Sequence, residues 1–219
     1  MRKTQFANGE YYHLYNRGVD KRKVFLDNRD FERFLLSMDL LNDQNDGLMI
    51  AWRDYKENNP GAELSVFPLL KKKRRRLIEF ICYCLNPNHY HLIIRQLTEK
   101  GIERFMHKLG TSHTNYFNTK NRRTGSLFQG KFKAVHIKSN SKLIYLSVYV
   151  NMNHLIHGYS DRKWKYSSLL DYLGKRKNGL CNKKVIMGHF KNNADYKEFL
   201  RENTAHMRER KEDEKYLLE

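Results

Sequence analysis

Two histidines, His89 and His91, stand on either side of Tyr90. If the segment is a strand, their side chains leave one face about 6.6 Å apart along the chain. Both imidazoles can then address a single divalent ion while Tyr90 packs the opposite face. The same spacing also fits two structural histidines. A second polar set, Tyr145, Tyr149 and Asn153, recurs at four-residue intervals, so on a helix it forms one stripe. A tyrosine hydroxyl becomes a covalent nucleophile when a metal polarises the phosphate it attacks. Asn153, one turn beyond Tyr149, has an amide oxygen able to reach the same ion. The structural alternative is an ordinary helix with two amphipathic tyrosines at the edge of a core.

The elements that must position these residues are legible from periodicity and turn chemistry. Residues 10–16 are aromatic and alternating, which suits a strand ended by Arg17-Gly18. Asp27 suits a helix cap, and Phe31, Phe34, Leu35, Met38 and Leu41 repeat at helical spacing, which assigns them to a core face. Residues 42–60 are polar and read as an inserted excursion with a short helical piece over 50–55. Residues 77–85 are apolar and β-prone, Asn86-Pro87-Asn88 is a turn signal, and 89–96 alternates again. The resulting hairpin sets His89 and His91 at the opening of its second strand. A helix follows over 102–117, then a basic link over 118–125 and a strand over 126–137 that Gly130 bends. Asn140 or Ser141 caps a helix running to about 155, which Leu143, Leu146 and Val150 anchor to the sheet.

This order predicts an α+β fold: a ferredoxin-like βαββαβ antiparallel sheet with helices packed on one face, plus a C-terminal helical extension. The expected division is one domain over 1–174, with a polar insertion at about 42–70, and a charged, mainly helical extension over 175–219.

Charge narrows the partner. Forty-two Lys and Arg against 24 Asp and Glu leave a formal +18 in 219 residues, an excess that a phosphate backbone answers best. Six basic residues run unbroken through Lys71, Lys72, Lys73, Arg74, Arg75 and Arg76; they fit a phosphate-tracking rim or a solvated loop. Arg17, Arg122, Arg123, Lys131 and Lys133 are further candidates for phosphate contacts. No apolar stretch approaches the roughly 20 residues of a spanning helix, and no signal-peptide pattern opens the chain. Cys82, Cys84 and Cys181 lack zinc-ligand spacing and read as buried thiols, so a reducing, cytoplasmic compartment is expected.

Five segments, taken in order, resemble the HUH single-tyrosine transposases, in particular the group of REP-associated tyrosine transposases. They are Tyr12-His13-Leu14-Tyr15-Asn16-Arg17-Gly18-Val19, Pro87-Asn88-His89-Tyr90-His91-Leu92, the stretch from Arg123 through Gly125, Phe128 and Gly130 to Lys133, Tyr149-Val150-Asn151-Met152-Asn153, and Trp164-Lys165-Tyr166-Ser167-Ser168-Leu169. The resemblance implies that His89 and His91 are paired metal ligands, Tyr149 the nucleophile and Asn153 a third ligand. His154 stands where the family usually has proline, which bears on where the helix ends and how far the tyrosine reaches. No role carries over to Asn151, and His136 and His154 are expected to be non-catalytic.

The activity implied is cleavage and rejoining of single-stranded DNA beside a hairpin, through a 5′-phosphotyrosine and a free 3′-hydroxyl, with Mg²⁺ or Mn²⁺ as cofactor. Two imidazoles and an amide are a neutral set, so weak Mg²⁺ binding by the free protein is expected, with the ion recruited alongside DNA. The partner is single-stranded or hairpin DNA, and the protein a monomer or homodimer. The rival readings are a catalytically silent hairpin DNA- or RNA-binding module and a hydrolytic metal nuclease in which Tyr149 is structural.

Overall fold

The computed structural model describes residues 4–71, 73–159, 164–176 and 179–216, with side chains through 209. Its centre is a four-stranded antiparallel sheet of β1 (Tyr11–Arg17), β2 (Ile78–Asn86), β3 (His89–Gln96) and β4 (Lys133–Ile137), in the order β2-β3-β1-β4. With α1 (Asn28–Leu40) after β1 and α3 (Gly101–Lys120) after β3, the chain follows the expected βαββαβ path. Asp27 caps α1 by accepting from Asp30 N, and the Asn86-to-His89 turn closes the hairpin as anticipated.

One face of the sheet carries Tyr12, Leu14, Tyr90, Leu92 and Ile94, on which α1 packs Phe31, Phe34 and Met38 and α3 packs Ile102, Phe105 and Leu109. Leu41 is the C-cap of α1 and only half-buried; Leu40 turns inward instead, toward the insertion. The other face is also covered. There α4 (Asn140–Asn151), α5 (Asn153–Ile156), α6 (Leu169–Tyr172), α7 (Lys184–Met187) and α8 (Asn193–Tyr216) close a second core of Ile81, Cys82, Cys84, Ile93, Val148, Val150, Tyr172, Tyr196 and Leu200. Tyr196, Leu200 and Met207 of α8 are buried there, so the helical extension shares a core with the sheet.

A bulge between Phe80 and Cys82 re-phases β2. Ile78 and Phe80 face the α1/α3 core, whereas beyond the bulge Tyr83 and Leu85 do so and Cys84 faces the second core. Because alternation is strict on either side, Asn86 is carried onto the same face as His89 and His91.

Three sequence expectations need correction. The strand expected over 126–137 is only Lys133–Ile137. Leu127 and Phe128 turn into the α1/α3 core, Gly130 takes a left-handed φ of 74°, and Asn16 Nδ2 donates to the Gly130 carbonyl, so side chains and turns satisfy this backbone locally. The helix α4 is capped by Ser139, whose Oγ accepts from Lys142 N, rather than by Asn140 or Ser141. It also breaks at Met152 (φ −99°, ψ 6°) before Asn153. The insertion is more ordered than expected: α2 (Leu48–Asn58) and two short 3₁₀ turns build a small cluster on Leu40, Trp52 and Phe67. Asn42 ties its stem to β2, donating to Ile78 O and accepting from Leu77 N and Ile78 N.

Candidate active site

At one end of the sheet the register sets Arg17 opposite His89 and Tyr15 opposite His91. Alternation then places Tyr15, His13 and Arg17 of β1 and His89 and His91 of β3 on one face. The corner is fixed by backbone bonds: Gly18 N donates to Asn88 O, and Val24 N and Phe25 N both donate to Pro87 O. Gly18 is required by close approach, since a Cβ there would lie 2.2 Å from Arg22 O.

His89 is oriented by its neighbours. Asn88 Nδ2 donates to Lys21 O, which fixes Asn88 Oδ1 as the acceptor of His89 Nδ1–H at 2.6 Å and of the Tyr159 hydroxyl at 3.1 Å. That leaves the lone pair of His89 on Nε2, which accepts from Asn86 Nδ2 at 2.9 Å and lies 3.1 Å from Asn153 Oδ1, a second acceptor of the same group. His91 Nδ1 lies 2.8 Å from His13 Nε2, inside the fold. Burial holds His13 down to about pKa 4. Burial also pushes His91 well below its ordinary value, and His13, His89 and His157 add to the shift. Both rings are therefore neutral at neutral pH, the form that binds a metal.

Tyr149 stands edge-on to this pair, its ring 5.5 Å from that of His91 and 6.2 Å from that of His13. The stripe anticipated from spacing grades inward: Tyr145 is exposed, Tyr149 half-buried and Asn153 fully buried. Asn153 opens α5 directly after Met152 with its Oδ1 3.1 Å from His89 Nε2, so this junction forms without proline. His154 is itself buried, its ring parallel to Trp164 at 6.1 Å, and His136 pairs with Glu10 at 2.7 Å, away from the cluster.

The donor set fits a small divalent ion. Two ligands about 2.1 Å from one octahedral ion and at right angles lie about 3 Å apart, close to the separation of His89 Nε2 and Asn153 Oδ1. Asn153 also leaves a buried Nδ2 without an acceptor, a cost of about 1–3 kcal/mol that folding alone does not explain. Among the described residues no group of three His, Cys, Asp or Glu converges on a metal-sized site, so the set depends on an amide oxygen.

The basic candidates separate. Arg17 is exposed beside His89, and Lys133 lies over the Tyr15 ring on the tyrosine's face, its Nζ 6.0 Å from the ring centre. Exposed Val135 and Tyr145 flank that corner. Lys131 instead lines a cavity of about 1020 Å³ on the opposite face, between α3 and the 126–132 loop, well away from Tyr149. Arg122 is exposed, whereas Arg123 staples its own loop by donating to Asn118 Oδ1 and Ser126 O. The 71–76 run lies at the far end of β2, about 26 Å of strand from Asn86. Within it, Arg74 is engaged rather than offered to a phosphate: it is largely covered and held between Asp39 (2.7 Å) and Asp43 (3.2 Å). Arg76 leans on Asp39, Lys71, Lys73 and Arg75 are exposed, and Lys72 lies outside the described residues.

His13, Asn86, Asn88, His157 and Tyr159 join the site without having been singled out. Alternation within β1 could have found His13. His157, whose ring is 4.6 Å from that of His89, carries no local signal.

An antiparallel α+β sheet with two histidines and a facing helical tyrosine at one end is the arrangement that the resemblance to HUH single-tyrosine transposases implies. The family model described as "Transposase IS200 like" matches residues 68–153, the stretch holding His89, His91, Tyr149 and Asn153. Over that stretch the chain is similar to this transposase family. A solved structure of a REP-associated tyrosine transposase bound to a REP hairpin shares the fold, with a TM-score of 0.51 at 12% identity over 84% of this chain and 88% of that one. No curated protein matches the chain.

Proposed function

We propose that the protein is a divalent-metal-dependent endonuclease and strand transferase of the REP-associated type, acting on single-stranded DNA beside a hairpin. The observation that carries this reading is the convergence of Tyr149, His91, His89 and Asn153, from one strand and two helices, on one corner of the sheet. His89 Nε2, His91 Nε2 and Asn153 Oδ1 would hold Mg²⁺ or Mn²⁺. When bound, the ion supplies charge that offsets the negative charge developing on the scissile phosphate.

The chain's own groups do the rest. With His13 Nε2 accepting from His91 Nδ1–H, the lone pair of His91 is on Nε2 and available to an ion. Tyr149 Oη attacks phosphorus, the bond to the 3′-oxygen breaks, and the proton lost by the phenol is balanced by one gained at the 3′-hydroxyl. A 3′-hydroxyl from another strand reverses the step and releases Tyr149, so the phosphodiester energy is conserved as a phosphotyrosine. Arg17 and Lys133 flank the path a strand would take to Tyr149, and residues 1–174 form the catalytic unit.

The test is covalent trapping. Protein incubated with end-labelled hairpin-bearing single-stranded DNA and Mn²⁺ should yield a denaturation-resistant adduct that Tyr149→Phe abolishes. Cleavage without an adduct would favour hydrolysis, and binding without cleavage a silent module.

A further inference from the structure

Asn86 enters the sequence analysis only as part of a turn signal, with no role assigned to its side chain, yet that side chain lies between His89 and Asn153. Its side chain is fully buried at the end of β2. Its Nδ2 donates to Asn153 Oδ1 at 2.6 Å and lies 2.9 Å from His89 Nε2. A single NH₂ group thus engages the two atoms that would bind the ion, drawn from β3 and α5. Asn42 shows what a structural amide does at the other end of the same strand: it satisfies three backbone groups. Asn86 bonds side chains only, and its remaining contact is Cys84 Sγ, 3.6 Å from Oδ1.

We propose that Asn86 is a fourth ligand of the metal site, its NH₂ holding His89 and Asn153 at ligand spacing and its amide turning to present Oδ1 when a cation enters. The inference rests on the metal-dependent reading above. The chemistry favours the turn. A cation consumes the lone pairs that Nδ2 now engages and repels the N–H dipoles, while Oδ1 is a hard donor of the kind Mg²⁺ and Mn²⁺ prefer. After the turn Nδ2 faces Cys84 Sγ, a weak acceptor, so the buried amide is not left stranded. The set becomes two imidazoles and two amide oxygens, still neutral.

Mn²⁺ titration followed by water-proton relaxation, with and without a single-stranded oligonucleotide, tests this on the full chain. Wild type, His91→Ala, Asn86→Leu and Asn86→Asp are compared, with circular dichroism confirming their folds. We expect His91→Ala to abolish site binding, Asn86→Leu to weaken Mn²⁺ about ten-fold or more, and Asn86→Asp to tighten it by a similar factor. Binding by Asn86→Leu equal to or tighter than wild type, or no change in Asn86→Asp, would overturn the inference. Should Asn86→Leu not fold, Asn86→Asp alone decides. Mn²⁺ binding indifferent to His91 would overturn the metal reading and this inference together. Loss of the tyrosine adduct with these affinities intact would overturn the transferase reading alone.

Discussion

The two faces of the sheet each bury histidine, to opposite ends. On the α1/α3 face, His113 sits among Phe25, Phe34, Phe117 and Phe128, with Nε2–H donating to Val24 O at 2.8 Å. On the other face His91 is also buried, but its nearest partners are the imidazoles of His13 and His89 and the edge of Tyr149. Burial depresses both rings, His113 to about 4. Burial alone therefore does not make a site. What distinguishes the second face is convergence: His89, Asn86 and Asn153 turn polar atoms toward one another, whereas His113 satisfies a loop carbonyl within a shell of aromatic rings.

Breaking that contrast should have its largest effect at Tyr149, the proposed nucleophile. Tyr149→Phe should cut adduct formation and strand transfer by about a thousand-fold or more with an unchanged melting temperature, read from gel-resolved adducts beside thermal unfolding. His91→Ala should lower cleavage by roughly a hundred-fold or more through loss of the ion. His113→Ala should cost about 2–4 kcal/mol in urea unfolding and leave cleavage per folded molecule unaltered. Equal effects of the two alanines on Mn²⁺ binding would dissolve the distinction.

A smaller effect separates the basic residues. Arg74→Ala, which strands Asp39 and Asp43, should cost about 3 kcal/mol of stability without changing the salt dependence of single-strand binding. Arg17→Ala and Lys133→Ala should each lower the log–log salt slope by about 0.7 with little change in stability. Fluorescence anisotropy across a salt series reads this, and a flat wild-type response would remove the electrostatic account.

The smallest effect is one of pH. The folded-state pKa of His113 lies below its unfolded value of 6.5, so its contribution to stability is complete above that value and declines as pH falls toward 4. Between pH 7 and 5 the loss should be about 2 kcal/mol. His13 and His91 shift in the same direction, so the quantity to measure is the difference in slope between wild type and His113→Gln. Parallel slopes would show that His113 is not the titrating group.

Much of this was legible in the chain. The βαββαβ order, the hairpin, the Asp27 cap and the faces of α1 and α3 follow from period and turn chemistry, because these are local properties of the backbone. The spacing of His89, His91, Tyr149 and Asn153 was equally plain. Less was visible where tertiary contacts override local preference. Residues 126–132 alternate like a strand but bury Leu127 and Phe128 and bend at Gly130. The basic run looks uniform in sequence, yet Arg74 faces inward because Asp39 and Asp43 meet it there.

The sequence by itself determined which side chains can do chemistry and which strand and helix carry them, since composition and periodicity are intrinsic to a segment. Only the tertiary structure decided that they meet. The antiparallel register brings His13 to His91 and Arg17 to His89. Packing of the α4–α5 junction against β2 and β3 brings Asn153 to His89. The bulge after Phe80 shifts Asn86 from the hydrocarbon face to the polar one. Each is a phase relation between segments distant in the chain, fixed by packing and pairing free energies that no local pattern encodes.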